Sequence, residues 1–424
     1  MRHLSARFPS TTAAGGARAV ERCDRLGIAP YSDMAGGLFR AYLTRGYAAA
    51  QDAIAQWMEE AGMRARRDAA ANLVGRYEGT VEDAPALVIG SHLDSVRDGG
   101  RYDGPLGIML GIECVAALQA QGRRLPFPIE VYAFGDEEGS RFPAAMLTSR
   151  AVAGTLRSEE LVVADADGVS LTEAGVDAAR YLDARRPQGS TLAYLEAHIE
   201  QGPVLEADGL AVGTVTGIAA QLRYAVTVSG MAGHAGTTAM RLRRDPLAGA
   251  AAMVLAVEQA ARSDNSDAVA TVGSIEALPG AANVIPGEVH FTIDVRSGVA
   301  ARRDAVAETI LARLREIAEA RALTIAVERI HDLPASPCDP RLMDLMDEAL
   351  LGAGQPVRRL VSGAGHDAMN MAALCPTAML FIRCRGGVSH NPAEHVEPGD
   401  VQIALDVMLG FLDRLERHWR TFRA

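Results

Sequence analysis

The chain has 424 residues, more than one hydrophobic core usually serves, so its length alone predicts two domains or three. A hydrophobic share of 49% against 22% charged is ordinary for a globular protein, and 5% aromatics leaves the core to Ala, Val, Leu, Ile and Met. The formal net charge of -11 argues against a basic nucleic-acid-binding surface but not against an anionic small substrate, because one local basic cluster can outweigh distant charge.

The start, MRHLSARFPSTTAAGG, lacks the apolar stretch of a signal peptide and reads as a short flexible arm. No run approaches the roughly 18 apolar residues of a membrane span, so no membrane partner is expected. Five cysteines (Cys23, Cys114, Cys338, Cys375 and Cys384) are odd in number and scattered, with no C-x-x-C pair. That pattern argues against a disulfide framework or a thiolate zinc site and suits a reducing cytoplasm.

From about Leu87 to Phe134 the pattern is strand, helix, strand. LVIGSH is a short apolar run, Leu106 to Gln121 a helical stretch opened by Gly104 and Pro105, and IEVYAF a second apolar run. Such alternation predicts a mostly parallel sheet with helices on its faces, whose sites form at the carboxyl ends of strands. Both strands run into ionisable clusters. His92 ends the first, and Asp94, two positions on, lies on the same side of an extended chain, where it could orient the ring. By itself this is also an ordinary surface pair. Asp103, at the loop-to-helix junction, is either a helix N-cap or a carboxylate whose two oxygens bridge two metal ions. After IEVYAF come Asp136, Glu137 and Glu138, which are solvated loop acids or a divided set. In the second case Glu138 ligates a metal while Glu137 stays free as general base toward an activated water.

His198 in EAHIEQG and His390 in SHNPAEH sit among polar and small residues rather than on an apolar helix face. With His92, Asp103 and Glu138 they make five N/O donors and no sulfur, which suits zinc, or manganese and cobalt in its place.

Between Gly213 and Asp332 the order changes. LRYAVTVS reads as a strand, Asp245 to Arg262 as an Ala-rich helix, AVATVGSIEAL and EVHFTIDVRS as two strands, Ala301 to Ala320 as a helix, and LTIAVERI as a last strand. That β-α-β-β-α-β sequence is the ferredoxin-like arrangement, and it predicts a small α+β domain at 213–332 inserted into an α/β domain made of 1–212 and 333–424. Gln201, three positions after His198, His234 in GMAGHAGTT, Asn283 in GAANVIPG and Arg296 at the end of EVHFTIDVRS are candidate substrate contacts. His234 reads equally as a loop histidine and Arg296 as a surface ion pair.

The runs GSHLDSVRDGGRYDGPLG, FGDEEGSRFP, EAHIEQGPVLE, GHAGTT, NVIPG, SGAGHDA and GGVSHNPAEH, taken in this order from about Arg18 to Leu412, resemble the hydantoinase/carbamoylase amidases of the dizinc carboxypeptidase-like clan. The resemblance implies two divalent ions per chain, zinc first. His92, Asp103 and His198 would hold one ion and Asp103, Glu138 and His390 the other, with Asp103 bridging. It implies Glu137 as catalytic base, His234 as a donor to the oxyanion, and Gln201, His234, Asn283, Arg296 and Ser389 as substrate contacts. Ser362, Gly365 and His366 in SGAGHDA would line or brace the site. It also implies a homodimer through the inserted domain and a small, carboxylate-bearing ureido substrate, allantoate or an N-carbamoyl amino acid. Aminoacylase and carboxypeptidase relatives carry a carboxylate where His198 stands, which weighs against a dipeptidase. A non-catalytic binding protein would not need Glu137.

Overall fold

The computed structural model describes residues 14–422. The proposed N-terminal arm falls outside these residues save for its last positions, where a helix already begins, at Gly15. The chain divides into two compact units, Met1–Thr216 with Cys338–Leu360 and His366–Ala424, and Gly217–Pro337 with Val361–Gly365.

In the first unit the sheet runs in the order Arg64–Arg67, Leu73–Tyr77, Ile129–Phe134, Ala86–His92, Thr191–Ile199, Thr377–Ile382, Val212–Ile218. The four central strands pair in parallel, and the flanks are antiparallel. Every residue of those four strands is buried, which is why they are mostly apolar and show no polar alternation. The register sets His92 beside Phe134 and His198 beside Phe381, so parallel strands deliver His92, His198 and the acids after Phe134 to one carboxyl edge. The helix Pro105–Ala120 is apolar nearly all round and almost wholly buried. Its N-cap is Gly104, not Asp103. At φ +83°, Gly104 sits where a Cβ would come within 2.4 Å of the His92 carbonyl oxygen and 2.6 Å of its ring, so only glycine brings this loop so near.

In the second unit the strands order as Ile275–Leu278, Glu288–Ser297, Ala220–Ser229, Thr324–Leu333, all antiparallel. The helices Pro246–Ser263 and Ala300–Ala320 cover one face around Val226, Met253, Phe291, Ile293, Ile310 and Leu314. This is the ferredoxin-like order. Along Glu288–Ser297 burial alternates residue by residue, as a strand with one core face requires. The stretch read as one strand from Ala268 is two, Val269–Thr271 and Ile275–Leu278. Asp294 pairs with Thr271 but Phe291 with Ile275, so one extra residue bulges out around Gly273. Among the described residues no helix is long and apolar enough to cross a membrane, and all five cysteines are buried and free.

Candidate metal centre

Asp103 is the pivot of the first unit's site. Its Oδ1 lies 3.2 Å from His198 Nε2 and 4.0 Å from His92 Nε2, while its Oδ2 lies 3.1 Å from His390 Nε2. His390 Nε2 is in turn 3.4 Å from a Glu138 oxygen. One carboxylate therefore faces two donor groups, His92–Asp103–His198 and Asp103–Glu138–His390, each with donor atoms within 4.8 Å of one another. A third group, His92–Glu137–Glu138, satisfies the same distance, so Glu137 stands within reach of the same space.

Backbone carbonyls fix two of the three imidazoles. His92 Nδ1 is 3.0 Å from the Asp94 carbonyl and His198 Nδ1 is 2.9 Å from that of Ile199. If each Nδ1 carries the proton and donates it, both Nε2 lone pairs face Asp103, the tautomer a metal ligand needs. The Asp94 carboxylate thus does something other than the sequence suggested. Its Oδ1 accepts from Glu137 N–H at 3.2 Å and its Oδ2 from Glu138 N–H at 3.1 Å, so it clamps the turn carrying both glutamates. Its Oδ1 is 3.9 Å from the His92 ring, beyond a hydrogen bond. The ring of His366 packs edge-on against that of His198 at 4.4 Å.

The electrostatics follow from crowding acids and imidazoles in a buried place. Burial opposes ionisation of Asp103, but its hydrogen bond with His390 and the charges of His198 and His92 hold it well below the usual carboxylate range. That same hydrogen bond lifts His390 to about 9. Burial pushes Glu138 to about 7 and, with Glu138 and Asp367 adding to it, Glu137 well above its ordinary value. Burial also lowers His198 to about 4. Buried acids pushed toward their protonated forms, beside a His390 and a His92 drawn by the surrounding carboxylates toward theirs, mark a place that calls for positive charge.

Gln201, at φ +56°, donates its amide to both Asp103 oxygens, at 3.0 and 3.2 Å, and Ser389 Oγ lies 3.0 Å from Asp103 Oδ2. Glu394, which the sequence reading passed over, is 5% exposed, and it accepts from the backbone N–H groups of Tyr102 and Asp103. Its place four residues after His390 in SHNPAEH was the available signal.

His234, Asn283 and Arg296 lie in the second unit. Gly233–His234 pairs with Val284–Ile285, and Ala235 N–H donates to the Asn283 carbonyl, so His234 and Asn283 are neighbours. His234 Nδ1 accepts from Gly236 N–H, which leaves Nε2–H as the outward donor. Arg296 pairs with Asp294 through Nε and Nη2, at 2.6 and 2.9 Å, and its Nη1 donates to the Gly363 carbonyl. The ion pair that the sequence allowed is present, and one proton on each terminal nitrogen remains for a second anion.

The profile of Peptidase family M20/M25/M40 matches residues 88–414. The chain is 44% identical to N-carbamoyl-L-amino acid amidohydrolase of Geobacillus stearothermophilus, over 88% of this chain and 92% of that protein. It is 40% identical to allantoate deiminase 1 of Glycine max, over 94% and 89% respectively. Among solved structures, a hydantoinase/carbamoylase family amidase from Burkholderia multivorans superposes with a TM-score of 0.87 at 35% identity, covering 95% of this chain and 98% of that one. With its acid and histidine clusters gathered at one sheet edge, the chain belongs to Peptidase family M20/M25/M40, among the hydantoinase/carbamoylase amidases that hydrolyse C–N bonds outside peptides.

Proposed function

We propose that this chain hydrolyses the ureido C–N bond of allantoate, using two divalent ions held by His92, Asp103 and His198 and by Asp103, Glu138 and His390. The observation that carries the reading is Asp103, whose two oxygens face the two donor groups separately. Three imidazoles and two carboxylates without sulfur fit zinc, with manganese or cobalt as substitutes. Such ions, when bound, polarise the substrate carbonyl and acidify an attacking water.

The residues supply the rest. Glu137, held by the Asp94 clamp, takes the proton of the attacking water and returns it to the leaving nitrogen as the C–N bond breaks. The carbamate left behind falls apart to ammonia and carbon dioxide. His234, with Nε2–H free to donate, stabilises the negative oxygen that develops on the carbonyl. The forward edge of Arg296 holds the substrate carboxylate, and Asn283, Gln201 and Ser389 take its polar groups. Gln201 Oε1, buried without a hydrogen-bond partner, is an acceptor suited to a ureido N–H.

A second reading, hydrolysis of N-carbamoyl-L-amino acids, is favoured by the 44% identity to an enzyme of that name. Measuring kcat/KM for allantoate and for N-carbamoyl Met, Phe and β-alanine decides between them. A tenfold preference for any carbamoyl compound, about 1.4 kcal/mol of transition-state binding, overturns the allantoate reading.

A further inference from the structure

We infer that Glu394 is the positioning residue that makes the Asp103 loop and the His390 loop one metal-binding unit. The inference rests on the metal reading above and adds a residue to it. Glu394 follows His390 by four positions and stands 291 residues from Asp103, yet its Oε1 accepts from two successive backbone donors, Tyr102 N–H at 2.8 Å and Asp103 N–H at 3.1 Å. Two N–H groups converging on one oxygen fix the peptide plane before Asp103, and with it the direction in which the Asp103 side chain leaves the chain. The other oxygen, Oε2, lies 3.2 Å from Ser389 Oγ, which is itself 3.0 Å from Asp103 Oδ2. Glu394 thus holds the Asp103 backbone directly, while the Ser389 hydroxyl lies within hydrogen-bond distance of both carboxylates and gives its one proton to one of them at a time.

The surroundings are built for this contact. A Cβ on Gly100 would lie 2.1 Å from Glu394 Cδ, so the loop passes at a distance only glycine allows. Ala393 N–H donates to Asn391 Oδ1 at 2.9 Å and Glu394 N–H to the Asn391 carbonyl at 3.0 Å, which turns the chain back after His390. His390 itself is held at φ +54°, a strained conformation for a histidine that a firmly anchored loop can sustain. A side chain that touches no substrate but supports a ligand through hydrogen bonds typically changes metal affinity by about 10–100-fold.

The test compares the full-length wild type with Glu394→Ala and Glu394→Gln, reading zinc affinity by chelator competition and hydrogen exchange of the segment 99–104. Glu394→Ala should keep the ion of His92, Asp103 and His198 better than the ion of Asp103, Glu138 and His390. The latter should weaken about 10–100-fold, with lost protection at Tyr102 and Asp103. Glu394→Gln retains an acceptor for both N–H groups and should recover most of the affinity and protection. Should the alanine variant fail to fold, Glu394→Asp, charged but one methylene short, is expected to lose the same ion. A folded Glu394→Ala that binds both ions like wild type overturns the inference, as does a Gln variant no better than Ala. A wild type that takes up no zinc sinks the metal reading, and this inference falls with it; one ion lost only on mutation does not.

Discussion

Replacing Asp94 by Asn changes a single atom of a fully buried side chain, and the structure says what that atom supports. Each carboxylate oxygen receives one backbone N–H, from Glu137 and from Glu138. Asparagine offers one acceptor and turns an amide NH2 toward the other donor, so one buried N–H goes unsatisfied at about 1–3 kcal/mol. Burial already disfavours the ionised form of Asp94, since it raises the pKa of this carboxyl, so neutralising it recovers part of the loss and the lower half of that range is expected. The larger effect is on Glu137. Freed from its clamp, the base shifts, and a displacement of about 1 Å costs on the order of 10²-fold in rate. The assay pairs chemical denaturation and turnover with metal content, because His92 leans on the Asp94 main-chain carbonyl, which the substitution leaves in place. Two ions should remain. Loss of the ion at His92, with Glu137 and Glu138 amide exchange unchanged, would show that the carboxylate orients the ring after all. Wild-type stability and turnover would refute the clamp.

Glu137→Gln should keep both ions and substrate while losing about 10²–10⁴-fold in kcat, whereas Glu138→Gln should lose an ion; the reverse pattern in elemental analysis exchanges their roles. Arg296→Lys should raise KM for every carboxylate-bearing substrate, because a point charge cannot replace the planar fork, and equal KM values would place the carboxylate elsewhere. Asp294→Asn should act in the same direction but more weakly, since Asp294 aligns Arg296 through two of its nitrogens. The second unit exposes Leu255, Val269, Ile275 and Leu278, which supports a homodimer through this unit. Light scattering at micromolar concentration should give twice the monomer mass, and monomer alone would refute it.

The parts legible in the sequence were those whose signal is local. Apolar runs ending in His92 and in Asp136–Glu138 announce parallel strands with a site at their ends, and the β-α-β-β-α-β order of the second unit is written in alternating periodicity. The bulge at Gly273 was not legible, because one extra residue leaves the composition of a strand unchanged. The role of Asp94 was half legible. Spacing by two places it on the side of His92, but spacing cannot tell a carbonyl from a carboxylate, and the carbonyl holds the ring. Glu394 was hidden for a different reason. Its partners lie 291 and 292 residues away, and a carboxylate that accepts backbone N–H groups leaves no mark on the side chains of those partners.

The charge of the donor set connects the site to the class of substrate. Asp103 and Glu138 bring two negative charges, and the imidazoles of His92, His198 and His390 bring none when they act as ligands. Two divalent ions would therefore outweigh their own ligands. A carboxylate in place of His198 would cancel one of the charges left over. The chain's overall charge of -11 does not undo this, because exposed charges farther than about 8–10 Å are largely screened at physiological salt while buried ones are not. Ions held by so few ligand charges keep affinity for an anionic group, and under the reading proposed above the substrate's carboxylate is held by the second unit. Arg296, positive and already aligned by Asp294, has two protons left to give to a carboxylate. The ureido acids meet both demands in one small molecule, with a carbonyl for the ions and a carboxylate for the fork.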